Sequence, residues 1–204
     1  MRHSPWVRAV ALVIALSTLL ATGLAFVSLG SGDGDDEVDR VELAPAVSTT
    51  LDDDQRALAA LLPDGPLDGM TRTDDDLGPL TLTQAAAEYP FGDVDGARLR
   101  ADGFVRGFAR AWAGTDGRSA HVLVYELRDP DAYLRSWAAA AEGLADSRFD
   151  TPVGQGISDV EQDTEASIVA WVEGTYWYYV VHFGPAGQDG PDRARAIVEA
   201  VRAR

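Results

Sequence analysis

The stretch Ser167–Phe183 (SIVAWVEGTYWYYVVHF) constrains this chain more than any other. It holds two of the five Trp and three of the six Tyr, set among β-branched residues. Such residues suit a pleated, half-buried strand. The one break is Glu173-Gly174, and glycine accepts the positive φ that a two-residue hairpin loop needs. With Glu173 and Gly174 as the loop, Val172 pairs with Thr175, Trp171 with Tyr176 and Ala170 with Trp177. Alternation then sorts the side chains onto two faces. One carries Ala166, Ile168, Ala170, Val172, Trp177, Tyr179, Val181 and Phe183. The other carries Ser167, Val169, Trp171, Tyr176, Tyr178, Val180 and His182. Both are too apolar for a sheet wetted on one side, so the hairpin is expected at the centre of the fold.

The remaining elements are read around it. Thr50–Leu62 predicts a helix, with Asp52–Asp54 at the positive end of its dipole and Leu58, Leu61 and Leu62 on one face. Met70–Gly78 reads as a polar loop. Thr83–Tyr89 and Asp95–Ala101 are short helix candidates, the second capped by Asp95 and closed by Gly103. Gly103–Trp112 (GFVRGFARAW) and His121–Leu127 (HVLVYEL) flank a loop with two glycines and form a second hairpin. Asp129-Pro130 opens a helix with the apolar stripe Tyr133, Trp137, Ala140, Ala141 and Leu144. Phe149–Asp163 reads as irregular. Pro191 starts a last helix with Ala194, Ile197, Val198 and Val201 inward. Two ββα units in this order predict an α+β two-layer sandwich, an antiparallel sheet with helices on one face. In that arrangement the Trp177, Tyr179, Val181 and Phe183 row is the core beneath the Tyr133/Trp137 helix and the C-terminal helix.

Ahead of this domain, Ala9–Leu29 is an uncharged run of 21 residues. As a helix it spans about 31 Å, the thickness of a bilayer's hydrocarbon core. Arg2 and Arg8 precede it, and Asp33, Asp35, Asp36, Glu37 and Asp39 follow. That asymmetry places residues 1–8 in the cytoplasm and the C-terminus outside. A cleaved signal peptide is the alternative, but its apolar region is typically about 7–15 residues long. Gly30–Thr49, rich in Gly, Asp and Ser at its start, reads as a disordered acidic tether to the extracytoplasmic domain at 50–204.

Charge narrows the range of partners. With 17 basic and 33 acidic residues the net charge is −16. Such a surface repels nucleic acid and anionic headgroups, so no nucleic-acid partner is expected. Every basic residue is Arg, with Lys and Asn absent, a bias in keeping with a GC-rich genome. No cysteine is present, which excludes disulfides, thiolate metal sites and a Cys nucleophile.

The strings GFVRGFARAW and HVLVYEL, the capped helix and the late EGTYWYYVV hairpin resemble exported, membrane-anchored domains common in high-GC actinobacteria. The resemblance covers about residues 60–204. It implies an envelope-associated domain and carries over no catalytic residue.

Candidate sites are sparse. Gly32–Asp39 and Asp93–Gly96 are too incomplete for calcium loops, since the first has Val38 where the loop needs Gly and the second has too few ligands. Asp52–Asp54 and Asp74–Asp76 read as a helix start and a loop. His121 and His182 lie in strands without a second ligand at metal spacing, and would form a metal site or general base only if the strands adjoin. Nucleophile elbow, phosphate loop and zincin motifs are absent. Two constellations remain as binding candidates. Arg106 and Arg110, on one strand face with Phe108 and Trp112, would grip an anion or pair with the chain's own carboxylates. Trp171, Tyr176 and Tyr178 combine rings with hydroxyl and indole donors, a mixture suited to recognition unless Thr50–Leu62 or Thr83–Tyr89 covers them. The expected function is a membrane-anchored envelope binding domain without catalysis, metal or cofactor, with an envelope protein or small ligand as partner. An exported hydrolase using His121 or His182 and a structural subunit of an envelope complex are the alternatives.

Overall fold

In the computed structural model, which describes residues 51–73, 78–87, 94–140, 148–161 and 163–204, the aromatic run forms the two longest-paired strands of one sheet. The elements are α1 (Asp53–Ala59), β1 (Thr71–Arg72), β2 (Gly78–Leu80), α2 (Leu82–Ala87), α3 (Val94–Ala101), β3 (Phe104–Ala113) and β4 (Ser119–Leu127). They are followed by α4 (Pro130–Ala140), β5 (Arg148–Thr151), β6 (Gly154–Glu161), β7 (Thr164–Glu173), β8 (Tyr176–Pro185) and α5 (Gly190–Arg202). Eight antiparallel strands make a single sheet in the order β1-β3-β4-β8-β7-β6-β5, and β2 also pairs with β3.

This corrects the expected two-layer α+β sandwich. The sheet dominates, because Phe149–Asp163 is not irregular but supplies β5 and β6. Helices cover both faces rather than one. On the Trp177 face, Tyr133 of α4 meets the Trp177 ring edge-on at 4.9 Å. Leu80, Ala85, Leu99 and Trp137 are buried in the same cluster as Trp177 and Tyr179. On the Trp171 face lies α5, whose Gly190 abuts Glu165 and Ser167 and whose Arg202 pairs with Glu173. The C-terminal helix therefore packs on the face opposite to the one expected. Its apolar stripe Ala194, Ile197, Val198 and Val201 is buried there. α1 lies on the same face, its Asp54 paired with Arg106 of β3.

The turn of the central hairpin sits one residue later than the sequence suggests. Glu173 pairs with Tyr176 and Val172 with Trp177, so Gly174 and Thr175 form the loop. Gly174 has φ 63°, the left-handed first position that a type II′ turn demands. Every pairing thus slips by two residues, an even number, and each side chain keeps its face.

Local signals explain the helix ends. Asp52 accepts from the Gln55 amide while the Gln55 side chain accepts from the Asp52 amide, a reciprocal capping box. Asp95 lies inside α3 rather than ahead of it. Among the described residues no helix is long and apolar enough to cross a membrane. The apolar run 9–29, the tether 30–49, Asp74–Asp76 and Asp93 lie outside the described residues.

Candidate functional site

The Trp171 face of the sheet divides into two ends under one helix. At the end nearest the β7–β8 turn, the Trp171 and Tyr178 rings stack 4.9 Å apart and 8° from parallel. The C-terminal turn of α5 covers them, leaving Trp171 3% and Tyr178 5% exposed. Burial pushes the Tyr178 hydroxyl upward in pKa, and Arg204 beside it opposes that rise. Glu173 fixes the geometry. Its Oε1 accepts from Trp171 Nε1 at 3.1 Å and from Arg202 Nε at 3.1 Å. Tyr176, the third of the expected recognition residues, is half-buried.

Beside this stack opens a groove of about 350 Å³. Its walls come from four elements. Trp171, Val172 and Glu173 belong to β7, Asp131 and Leu134 to α4, Pro152 and Val153 to the β5–β6 turn, and Arg202 to α5. It is shallow, and its lining mixes apolar side chains with the charged Asp131, Glu173 and Arg202. Of the expected recognition residues, Trp171 alone lines it. The groove itself is not visible in the sequence, because its walls are up to 71 residues apart along the chain, from Asp131 to Arg202.

At the other end of the same face the chemistry is polar. Ser167 and His182, cross-strand partners in β7 and β8, are both fully buried. Ser158 donates to Glu165 Oε1 at 2.6 Å and lies 3.3 Å from the Ser167 hydroxyl. The Gly187 amide donates to Glu165 Oε2 at 3.2 Å. Nearby, Asp68 is held between Arg118, 3.2 Å away, and Arg193, 3.0 Å away. Asp68 itself has φ 47°, a left-handed conformation that Asp tolerates better than most residues. Neither ring nitrogen of His182 has a hydrogen-bond partner among the described residues. Burial pushes its pKa down; Asp68 and Glu165 oppose that shift while Arg118 and Arg193 reinforce it. Next to it, a side chain at Gly184 would meet the His182 ring at 3.1 Å and the Arg118 stem at 3.5 Å.

His121 does not join this cluster. Its strand adjoins that of His182, but it pairs with Val181 and so points to the opposite face. There it meets Phe183 edge-on at 6.2 Å, and burial lowers its pKa. Among the described residues no group of three or more His, Asp or Glu is placed to hold a metal ion.

The two arginines sit among the chain's own acceptors. Arg106 donates to Glu126 at 2.6 Å and pairs with Asp54 at 3.1 Å, and the Glu126 hydrogen bond raises its pKa. Arg110, 8% exposed, donates to the Leu62 carbonyl at 2.9 Å and the Pro63 carbonyl at 2.5 Å, and pairs with Asp64 at 3.2 Å. Both guanidinium groups tie the segment around α1 to β3. Comparison of the chain with protein families, curated proteins and solved structures finds no match.

Proposed function

We infer that the protein is a single-pass, membrane-anchored recognition domain of the cell envelope, with residues 9–29 in the bilayer and the sheet outside. The groove beside Trp171 carries this reading. It sets apolar side chains beside charges of both signs, with Glu173 linking Trp171 to Arg202 at its rim. The resemblance to exported actinobacterial domains and the charge step around residues 9–29 support the placement. An adhesive structural role finds less support. The large apolar residues exposed among the described ones are Val105 and Val160, on separate strands, and they form no patch.

The test uses the full-length protein in intact cells and in protoplasts. External protease should remove the domain from protoplasts and leave the N-terminal segment in the membrane. In intact cells, a photo-crosslinking amino acid in place of Val153 should capture one envelope component reproducibly. The same amino acid in place of Val105, away from the groove, should not. A protease-protected domain, or equal capture from both positions, would overturn the reading.

A further inference from the structure

A fully buried imidazole with both nitrogens unpartnered among the described residues is stable only while it stays neutral, and His182 is in that position. Four charges act on it from four other segments of the chain. Asp68 comes from the segment before β1, Arg118 from the β3–β4 turn, Glu165 from β7 and Arg193 from α5. Those four charges sum to zero, and both carboxylates are already engaged. Asp68 accepts from Arg118 and Arg193, and Glu165 accepts from the Ser158 hydroxyl and the Gly187 amide. Asp116 also pairs with Arg118, but it is half-exposed and water screens it. The cross-strand neighbours of His182, Ala120 on β4 and Ser167 on β7, carry no charge, and neither do Val180 and Gly184 on its own strand. His121 lies on the opposite face of the sheet. A proton on the His182 ring therefore adds an unmatched positive charge to a buried site that already holds two guanidinium groups.

The part of this site best able to give way is the start of α5. Its N-cap, Asp189, has φ 55° and makes no side-chain hydrogen bond to the first turn, so the helix start lacks the local cap that usually secures it. Tertiary contacts hold it instead: Gly190 against Glu165 and Ser167, and Arg193 on Asp68. The Arg193 side chain is 42% exposed, so a short outward movement carries its charge into water. Arg118 is 15% exposed and is held by Asp68 and Asp116 together.

We propose that protonation of His182 releases the start of α5, residues 190–195, from the sheet, an acid-operated latch whose catch is the Asp68–Arg193 ion pair. The imidazolium repels Arg193 and competes with it for Asp68, so one proton weakens the catch twice. Opening brings water to the ring and hydrates both cations. The rest of α5 stays down, because Ile197, Val198 and Val201 are buried and Arg202 remains paired with Glu173. The open form binds the proton more tightly than the closed one. Opening therefore increases as the pH falls below about 6.5, by at most about tenfold per pH unit for a single proton.

The test is residue-resolved hydrogen exchange on the full-length protein in nanodiscs between about pH 7.5 and 5, expressed as protection factors so that the pH dependence of intrinsic exchange drops out. A parallel magnetic-resonance titration follows the His182 ring. Protection at Arg193, Ala194 and Arg195 should fall about tenfold or more across this range relative to Val169 and Val180 at the sheet centre. The fall should begin below about pH 6.5 and coincide with the His182 titration. In His182→Gln, which cannot titrate, protection at the three α5 amides should stay level over the same range. Three results would overturn the latch. The α5 and sheet-centre amides could lose protection together, which is global unfolding. The α5 amides could stay protected while His182 titrates. The variant could open over the same pH range as the wild type, which puts the trigger elsewhere. Should His182→Gln fail to fold, the coincidence of the two wild-type curves decides alone, and curves displaced by a pH unit or more contradict the proposal.

Discussion

Strand β7 has two halves that a single rule of alternation treats alike and the fold treats differently. From Thr164 to Ile168 it is flanked by β6 and β8, and its Glu165 and Ser167 side chains join a buried polar cluster under the start of α5. From Val169 to Glu173 β8 is its one partner among the described residues, and its Trp171 stacks on Tyr178 under the end of α5. The first half is closed by hydrogen bonds and ion pairs that reach it from distant loops. The second is closed by ring area on one face and, past Ile168, has no pairing with β6; it is the open half of the ladder. Where the strand is paired on both sides and where on one are thus decided within ten residues.

The largest effect should come from the open half. Trp171→Ala removes a buried ring that stacks, donates to Glu173 and supports the groove wall, and should destabilise the domain by about 3–5 kcal/mol. Chemical denaturation of the domain measures this. A loss under about 1 kcal/mol would mean that α5 does not depend on the stack.

In the closed half the critical contact is steric. A Cβ at Gly190 would lie 2.8 Å from both Glu165 and Ser167. Gly190→Val should therefore cost about 1–3 kcal/mol through overpacking, and should raise the exchange rate of amides in the first turns of α5. Unchanged stability would show that the start of α5 floats above the polar cluster instead of sealing it.

Acid should act on the same half. The folded-state pKa of His182 is pushed below its unfolded value of about 6.5. Between those two values the unfolded chain binds the extra proton. Its stabilising contribution is complete above about pH 6.5 and is lost as the pH falls from there toward the folded-state pKa. The stability of the protein should fall on acidification through this window by up to about 1.4 kcal/mol per pH unit for this one group. His182→Leu should flatten that part of the curve. An identical slope in the variant would assign the titration elsewhere, with His121 the first candidate.

Tyr176 should matter least. It is half-buried at the edge of the stack, so Tyr176→Ser is expected to cost about 1 kcal/mol or less. A larger loss would extend the structural part of the open half to the turn.

Much of this was legible in the residues. The aromatic run gives the hairpin, its central place and the face of each side chain, and the stripe on α5 gives its buried side. The turn position was off by one because Glu173-Gly174 and Gly174-Thr175 both offer a glycine to a two-residue loop. β5 and β6 were hidden because Arg148–Thr151 and Gly154–Glu161 carry few apolar residues and two glycines. Their pairing comes from the neighbouring strand, not from local propensity. The layer count was wrong for a related reason, since an apolar stripe shows that a helix is covered but not by which face of a sheet. The polar cluster was beyond reach, because Asp68 meets Arg193 across 125 residues and neither position has a local signature.

The difference between the two halves of β7 can be measured directly by residue-resolved hydrogen exchange in the full-length protein without ligand. Amides turned away from β8 should separate into two groups. Ala166 and Ile168, held by β6, should exchange only with global unfolding, whereas Val172, half-buried and without a β6 partner among the described residues, should exchange far faster. Equal protection at Ala166, Ile168 and Val172 would contradict the division of β7 into two halves.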